Sequence, residues 1–270
     1  MVRSAGFSKL FVVALMLLAC SDPFAVSPFE ANVRSELKNT TQSNLAKIQL
    51  MDSSTGTFKI ALISDSHYHF NALADAIADI QSKNDFEFIV VLGDITENGL
   101  LKEFELFHSI MAQSGIPYVT VIGNHDYLSN GSKIYEQMFG ANNYTFSFRG
   151  VKFVVWDNVI WESEKEADYA WLEGVLNATS ENESNVVNHI IPLSHIPPSD
   201  QQFDHHKDRF HELLKKHNIN LSVHGHKHEF SLKHLFADDI QFLTVGSPQH
   251  RTYTELSVTP DEVVINKITY

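Results

Sequence analysis

Residues 58–67 read FKIALISDSH, an apolar run that ends in Asp65 and His67. A short apolar run bounded by polar residues is typical of a buried β-strand. Four later runs have the same form: FEFIVVL (86–92), PYVTVI (117–122), VNHIIPL (187–193) and INLSV (219–223). Strands that alternate with helical segments predict an α/β fold.

The polar groups that follow these five runs are the most informative feature of the chain. In order, they are Asp65-Ser66-His67, Gly93-Asp94, Gly123-Asn124-His125-Asp126, Ser194-His195 and Gly225-His226-Lys227-His228. In α/β folds, sites lie beyond the carboxyl ends of the strands. We therefore expect Asp, Asn and His side chains to meet at one edge of the sheet, as a site for two metal ions requires.

Length and charge restrict the class of protein and of partner. A chain of 270 residues is typical of one large domain, and 43% hydrophobic residues are enough for a sizeable core. The formal net charge of -13 argues against a nucleic-acid polymer as the main partner, because binding to its backbone requires Lys and Arg. A small phosphorylated substrate remains compatible, since bound cations reverse the local charge.

The N-terminal segment has the layout of a secretory signal. Arg3 and Lys9 precede an apolar run over 10–19, which is too short to span a bilayer. The segment Leu17-Leu18-Ala19-Cys20 resembles the lipobox of bacterial lipoproteins, in which the signal is cut before a Cys that then carries lipid. We expect a signal peptide over 1–19, lipidated Cys20 and a tether over 20–56, and the folded domain over 57–270. The protein would then be exported and anchored to a bacterial membrane, facing the periplasm or the cell exterior.

Two alternatives to the lipid anchor stay open. Cys20, the only cysteine of the chain, could simply end a cleaved signal and leave a secreted protein. Asn-x-Ser/Thr sequons would suit a eukaryotic secreted protein. They occur at Asn39, Asn130, Asn143, Asn177 and Asn182.

The remaining periodicity predicts a two-sheet architecture. Helix-like spacing of apolar residues occurs over Ala72–Gln81, Leu100–Gln113, Lys133–Phe139, Asp168–Leu176 and Lys207–His217. After Ser231 the pattern changes to successive strands: LKHLF, IQFLTV, YTELSV and EVVINKI. We expect an α/β fold in which a β-sandwich of two mixed sheets is flanked by helices, a four-layer αββα arrangement.

From about Phe58 to Ser247, the chain resembles the calcineurin-like metallophosphoesterase superfamily. The signature of that superfamily is D-x-H, G-D, G-N-H-D/E, an isolated H and then G-H-x-H. All five blocks occur here in that order. A single block would be weak evidence, whereas the ordered set is specific.

The resemblance implies two metal ions and assigns a ligand in every block. The first ion would be held by Asp65, His67 and His228, the second by Asn124, His195 and His226, and Asp94 would bridge the two with its two oxygens. Mixed His and carboxylate ligands suit Mn, Fe, Zn or Co better than Ca or Mg. Taken singly, these residues could instead be helix N-caps, turn residues or ordinary loop histidines.

The resemblance also implies the catalytic groups. His125 would protonate the leaving oxygen or stabilise charge there, and Asp126 would orient its imidazole. A hydroxide bridging the two metals would attack the phosphorus. Tyr68, His69 and Tyr127 adjoin the motifs and are candidate substrate contacts.

Departures from subfamily patterns favour the compact phosphodiesterase group. The run after Gly93-Asp94 lacks the Arg of protein phosphatases, and Glu97 stands where purple acid phosphatases have a metal-binding Tyr. We expect a phosphodiesterase that acts on small external phosphodiesters. The alternatives are a phosphomonoesterase of the same fold and a non-catalytic surface binding module.

Overall fold

The computed structural model describes residues 27–52, 56–181 and 187–270. Within these residues, the strands are β1 Phe58–Ile63, β2 Phe88–Val91, β3 Tyr118–Thr120, β4 Tyr144–Phe148, β5 Val151–Val155, β6 His189–Leu193, β7 Leu221–His224, β8 Ser231–Lys233, β9 Gln241–Thr244, β10 Thr252–Val258 and β11 Val263–Thr269. One sheet has the order β11-β10-β1-β2-β3, and the other has the order β4-β5-β6-β7-β9-β8. Strands β1 to β3 are parallel, as are β5, β6, β7 and β9.

The helices are α1 Thr40–Met51, α2 Phe70–Lys83, α3 Leu101–Gln113, α4 Gly131–Met138, α5 Tyr169–Glu181 and α6 Lys207–Lys216. Apolar residues of α2, α3 and α4 pack on the outer face of the five-stranded sheet. Those of α5 and α6 pack on the outer face of the six-stranded sheet. The inner faces of the two sheets form a third cluster between them. The predicted four-layer αββα sandwich is therefore confirmed.

Strand β1 shows how the sequence produces these layers. Phe58, Ile60 and Leu62 lie in the core between the sheets, whereas Ala61 and Ile63 pack towards the helices. Alternate side chains of a strand point to opposite faces, so a continuous apolar run suits a strand that is covered on both sides. Each fully buried Ile, Leu or Phe side chain contributes about 1.5–3 kcal/mol to stability.

Part of the segment predicted as a tether is packed against the domain. Helix α1 places Ile48 in the core between the sheets, and the side-chain amide of Asn44 donates a 2.9 Å hydrogen bond to the Tyr118 carbonyl. The apolar residues of α1 lie towards its C-terminal end and include the exposed Leu50, so its amphipathic pattern is weak. The signal peptide and Cys20 lie outside the described residues. Within the described part of the chain, no helix has the length and apolar character needed to cross a bilayer.

The hairpin of β4 and β5 was not predicted. Its strands pair antiparallel from Tyr144 opposite Val155 to Phe148 opposite Val151. The two-residue turn, Arg149-Gly150, has positive φ angles of 43° and 82°, as tight hairpin turns that match the strand twist require. Both strands are only five residues long, which gives a weak periodic signal.

Candidate metal centre

The carboxyl ends of five parallel strands carry all the predicted metal ligands. Asp65 and His67 follow β1, Asp94 follows β2, Asn124 follows β3, His195 follows β6, and His226 and His228 follow β7. The edges of the two sheets come together here because His226 N–H donates to both carboxylate oxygens of Asp65, at 3.1 and 3.0 Å. The structure thus brings together the seven residues that the motifs singled out.

Much of the backbone at this edge lies in the left-handed region. Positive φ angles occur at five of the seven candidate ligands: Asp65 (55°), His67 (46°), Asp94 (49°), His226 (71°) and His228 (59°). Such angles cost on the order of 1–3 kcal/mol each and are concentrated at functional sites. The strand ends hold them in place, since Asp65 N–H donates to the Gly93 carbonyl at 3.1 Å and His67 N–H to the Asp94 carbonyl at 3.0 Å.

Gly123 allows the turn after β3 to approach the turn after β2. A Cβ atom at this position would lie 2.1 Å from the Asp94 nitrogen and 2.3 Å from Asp94 Oδ1. Both separations are far below van der Waals contact. The glycine is therefore required by the close approach of two ligand-bearing turns.

A first group of donor atoms comes from the turns after β1 and β7. His67 Nε2 lies 3.2 Å from His228 Nε2, and His228 Nε2 lies 3.5 Å from Asp65 Oδ1. One ligand atom from each of these three residues lies within 4.8 Å of the others. Two imidazole nitrogens and a carboxylate oxygen at this spacing could hold one transition-metal ion.

A second group surrounds the side chain of Asn124. Its Oδ1 atom lies 3.1 Å from His195 Nε2 and 3.0 Å from His226 Nδ1. Asp94, His195 and His226 also offer ligand atoms within 4.8 Å of one another. The His195 ring is fixed because its Nδ1 is 2.6 Å from the Leu92 carbonyl oxygen, so Nε2 is the nitrogen that faces the group.

Asp94 lies between the two groups of donor atoms, and only its Oδ2 atom faces both of them. Oδ2 is 3.7 Å from His67 Nε2 and 3.2 Å from His195 Nε2. Oδ1 accepts the His125 N–H at 2.8 Å. Oδ2 thus faces both groups, while Oδ1 supports the next turn.

His125 lies beside the first group without belonging to either ligand set described above. Its ring is half-buried and meets the His67 ring edge to face, with centroids 4.6 Å apart. His125 Nδ1 lies 2.8 Å from the Glu97 carbonyl oxygen. A ring whose Nδ1 donates to a carbonyl leaves Nε2 for chemistry.

Asp126 does not orient the His125 ring as predicted. It is fully buried, and its carboxylate accepts hydrogen bonds from Ile95 N–H (3.3 Å), Thr96 N–H (3.0 Å), the Thr96 hydroxyl (2.9 Å) and Gly123 N–H (3.0 Å). Asp126 therefore ties the turn after β3 to the turn after β2. The carbonyl of Glu97 takes the place expected for Asp126 beside the imidazole.

Electrostatics at the centre favour neutral His67 and His226 beside a charged Asp94. Burial lowers the pKa of His67 and of His226 to about 4, so both rings are neutral at pH 7, the form that binds a metal. Burial opposes ionisation of Asp94, but His195, His125 and His67 outweigh it and hold the pKa of Asp94 well below its usual range. Burial also opposes protonation of His195, yet Asp94 and Asp65 raise its pKa to about 10.

The three candidate substrate contacts have different surroundings. Tyr68 is 58% exposed at the rim, and its ring centroid lies 5.1 Å from that of His69. The Tyr127 hydroxyl instead donates to Asp157 and accepts from the Asn142 amide at 3.0 Å. Tyr127 thus belongs to a neighbouring polar cluster.

Three acidic residues at the centre were not predicted. Glu97 Oε2 is 3.0 Å from His67 Nδ1, and Asp200 Oδ2 is 3.4 Å from His226 Nε2. Glu162 Oε1 accepts from the Asn124 amide at 3.1 Å. Glu97 could have been recognised, because it is a carboxylate three residues after Asp94. Glu162 and Asp200 lie in loops without a motif.

Comparison with known proteins identifies the family. The sequence model of the calcineurin-like phosphoesterases matches residues 58–230, which include all seven candidate ligands. The chain belongs to this family.

Two curated relatives of this calcineurin-like phosphoesterase carry names that specify diesters. A protein named "Probable glycerophosphodiester phosphodiesterase" from Arcobacter nitrofigilis is 26% identical over 63% of this chain and 66% of its own length. A "Probable cyclic nucleotide phosphodiesterase" from Xenorhabdus bovienii is 30% identical over 24% of this chain and 27% of its own length. The chain thus spans slightly less than two thirds of the first relative and about a quarter of the second.

Solved structures share the fold of this phosphoesterase. A dimetal phosphatase from Danio rerio has a TM-score of 0.62 at 14% identity, covering 78% of this chain and 95% of that one. A purple acid phosphatase from yellow lupin has a TM-score of 0.63 at 13% identity, covering 80% and 52%. At these identities the likeness concerns the fold alone.

Proposed function

We propose that this calcineurin-like phosphoesterase hydrolyses small phosphodiesters at a centre of two transition-metal ions. One observation carries the proposal. Asp94 Oδ2 lies within 3.7 Å of His67 Nε2 and 3.2 Å of His195 Nε2, one histidine from each donor group. A carboxylate oxygen in this position suits a ligand shared by two cations.

The residues fit two such ions. Each group combines imidazole nitrogens with carboxylate or amide oxygens, the donors that Mn, Fe, Zn and Co accept. The buried carboxylates Asp65 and Asp94 lie close together, and burial raises the pKa of Asp65 to about 7. Bound cations would compensate this concentration of negative charge.

The chemistry divides between the ions and the protein. Two bound cations supply Lewis-acid activation of the phosphoryl group and a nucleophile at neutral pH. The protein orients the ligands and supplies the acid. His125 is suited to that role, because the Glu97 carbonyl occupies its Nδ1 and leaves Nε2 to donate a proton to the leaving oxygen.

The charge around the centre favours a diester. Glu97, Glu162 and Asp200 add carboxylates at its edge, and the nearby cation Lys227 is paired with Asp200. A phosphodiester carries one negative charge, whereas a phosphomonoester approaches two at pH 7, since its second pKa is about 6. Acidic surroundings therefore disfavour the monoester. The names of the curated relatives also support a diester.

The proposal is tested by comparing two substrates on the Mn²⁺-loaded protein. Bis-p-nitrophenyl phosphate is a diester, and p-nitrophenyl phosphate is a monoester with the same leaving group. We expect a higher kcat/KM on the diester. A higher kcat/KM on the monoester would show that the protein is a phosphatase. No hydrolysis of either substrate by the metal-loaded protein would contradict a general hydrolytic role.

We also propose that Cys20 carries a lipid, which would place the substrate outside the cytoplasm. The support is the lipobox-like segment 17–20 and the apolar run over 10–19 that leads into it. We predict that Cys20→Ser releases the protein from the membrane fraction and leaves the diester rate unchanged. Continued membrane association of Cys20→Ser would contradict lipidation.

A further inference from the structure

We infer that Glu162 is a positioning residue, whose carboxylate fixes the side-chain amide of Asn124 so that the amide oxygen faces the metal centre. This inference rests on the proposed function and adds a residue outside the motifs. Glu162 lies in the loop between β5 and α5, 38 residues from Asn124.

The contacts of the Asn124 side chain separate its two ends. Nδ2 donates to Glu162 Oε1 at 3.1 Å. Oδ1 points the other way, 3.1 Å from His195 Nε2 and 3.0 Å from His226 Nδ1. Asn124 is buried. Its NH₂ group therefore faces Glu162, and its oxygen faces the two histidines.

The chemistry of the partner decides which end faces the ions. An amide rotated by half a turn would occupy the same space but present two N–H donors to a cation. An ionised carboxylate accepts hydrogen bonds and has none to donate. Only the NH₂ group of Asn124 can therefore face Glu162, and the oxygen is then directed at His195 and His226.

The loop that carries Glu162 is fixed to the same edge of the sheet. Asn158 is buried, and its side chain makes two hydrogen bonds to the backbone of Ile196, donating to the carbonyl at 2.7 Å and accepting the N–H at 3.0 Å. Ile196 directly follows the candidate ligand His195. The Ser163 hydroxyl closes the turn by donating to the Val159 carbonyl at 2.5 Å. Glu162 is thus held at a defined distance from the ligands.

The half-buried side chain of Glu162 has one oxygen that is left without a partner in the described part of the chain. Its second oxygen, Oε2, is buried and has no hydrogen-bonding partner among the described residues. Burying a carboxylate with incomplete hydrogen bonding disfavours folding. This cost fits a residue whose role is to orient the ligand Asn124, because groups that contact metal ligands from outside commonly have that role.

The test measures Mn²⁺ binding to the whole protein by equilibrium dialysis. Glu162→Ala and Glu162→Met both remove the acceptor, and Glu162→Met preserves most of the volume. We expect one of the two Mn²⁺ ions to bind about 10–100-fold more weakly in both variants. Glu162→Gln keeps an acceptor oxygen but adds an NH₂ donor that also tolerates the rotated Asn124 amide, so its Mn²⁺ affinity should lie between those of wild type and Glu162→Ala. Glu164→Gln, an exposed change in the same loop, is the matched control and should have no effect.

A double-mutant cycle separates positioning from a general loss of structure. If Glu162 acts through Asn124, Glu162→Ala should weaken Mn²⁺ binding no further in an Asn124→Ala background. The inference would be overturned if Glu162→Ala and Glu162→Met both bound two Mn²⁺ ions with unchanged affinity, or if the effects in the cycle were additive. Either result would leave the proposed function standing. Failure of the wild-type protein to bind Mn²⁺ would overturn the proposed function as well.

Discussion

At the scale of single residues, Asp94 contacts both the candidate ligands and the turn that carries His125. One of its oxygens faces both donor groups, and the other accepts the backbone N–H of His125. A change at Asp94 should therefore affect both metal binding and chemistry. A change in the His125 ring should affect chemistry and leave the two donor groups intact, although His125 also lies with His67 and Glu97 in a group whose ligand atoms are within 4.8 Å of one another.

We predict that Asp94→Ala abolishes hydrolysis and lowers metal content together. His125→Ala should lower kcat by about 10²–10⁴-fold, the usual contribution of a general acid, with metal content preserved. Atomic absorption on the same samples that are assayed gives both quantities. Loss of metal from His125→Ala would show that this residue is a ligand instead.

Asp126 gives a prediction of a different kind, because its carboxylate bonds to backbone. An Asn at this position has one acceptor oxygen, so at least one of the buried N–H groups of Ile95, Thr96 and Gly123 loses its partner. A buried unsatisfied donor costs about 1–3 kcal/mol. Asp126→Asn should therefore lower the free energy of unfolding by that amount in urea titrations. Unchanged stability with a large loss of kcat would restore the catalytic role that was first expected.

At the scale of elements, the site depends on turns that approach each other closely after parallel strands. Gly123 shows the requirement, because a Cβ would collide with the Asp94 backbone nitrogen and Oδ1. The turn after β3 would have to move away, and Asn124 and His125 would move with it. Gly174, exposed in α5, offers a contrast because a Cβ there meets nothing within 4 Å.

We predict that Gly123→Ala destabilises the protein and lowers its metal content, whereas Gly174→Ala stabilises it by about 0.5–1 kcal/mol through helix propensity. Thermal unfolding and metal analysis of the two variants check this. If Gly123→Ala and Gly174→Ala had the same stability and metal content, the turns around Asp94 would be able to move apart and accommodate a Cβ atom.

Local patterns in the sequence predicted the elements that have their own signal. Helices α2 to α6 have strong apolar periodicity, and their predicted bounds lie close to those observed. Helix α1 lies in the segment predicted as a tether, because its N-terminal part is polar and its apolar residues do not form one buried face. The β4–β5 hairpin was not predicted, because its strands are short. The ligands were predictable because each adjoins its strand. Glu162 and Asp200 were not, since long loops bring them to the centre.

At the scale of the whole molecule, the four-layer sandwich brings one edge of each sheet to the same place. The turns after β1, β2 and β3 come from one sheet, and those after β6 and β7 come from the other. Each donor group combines residues from both sheets. Metal binding should therefore stabilise the sandwich as a unit, because ions that bind only the folded state raise its stability. The central claim is that two ions complete this centre.

The most direct test is a titration of metal-stripped protein with Mn²⁺, in which bound metal per chain and the rate of bis-p-nitrophenyl phosphate hydrolysis are measured in the same samples. We expect negligible hydrolysis without metal and a rate that reaches its maximum as bound Mn²⁺ approaches two ions per chain. Full hydrolysis by the stripped protein, or a maximal rate with a single bound ion, would contradict this expectation.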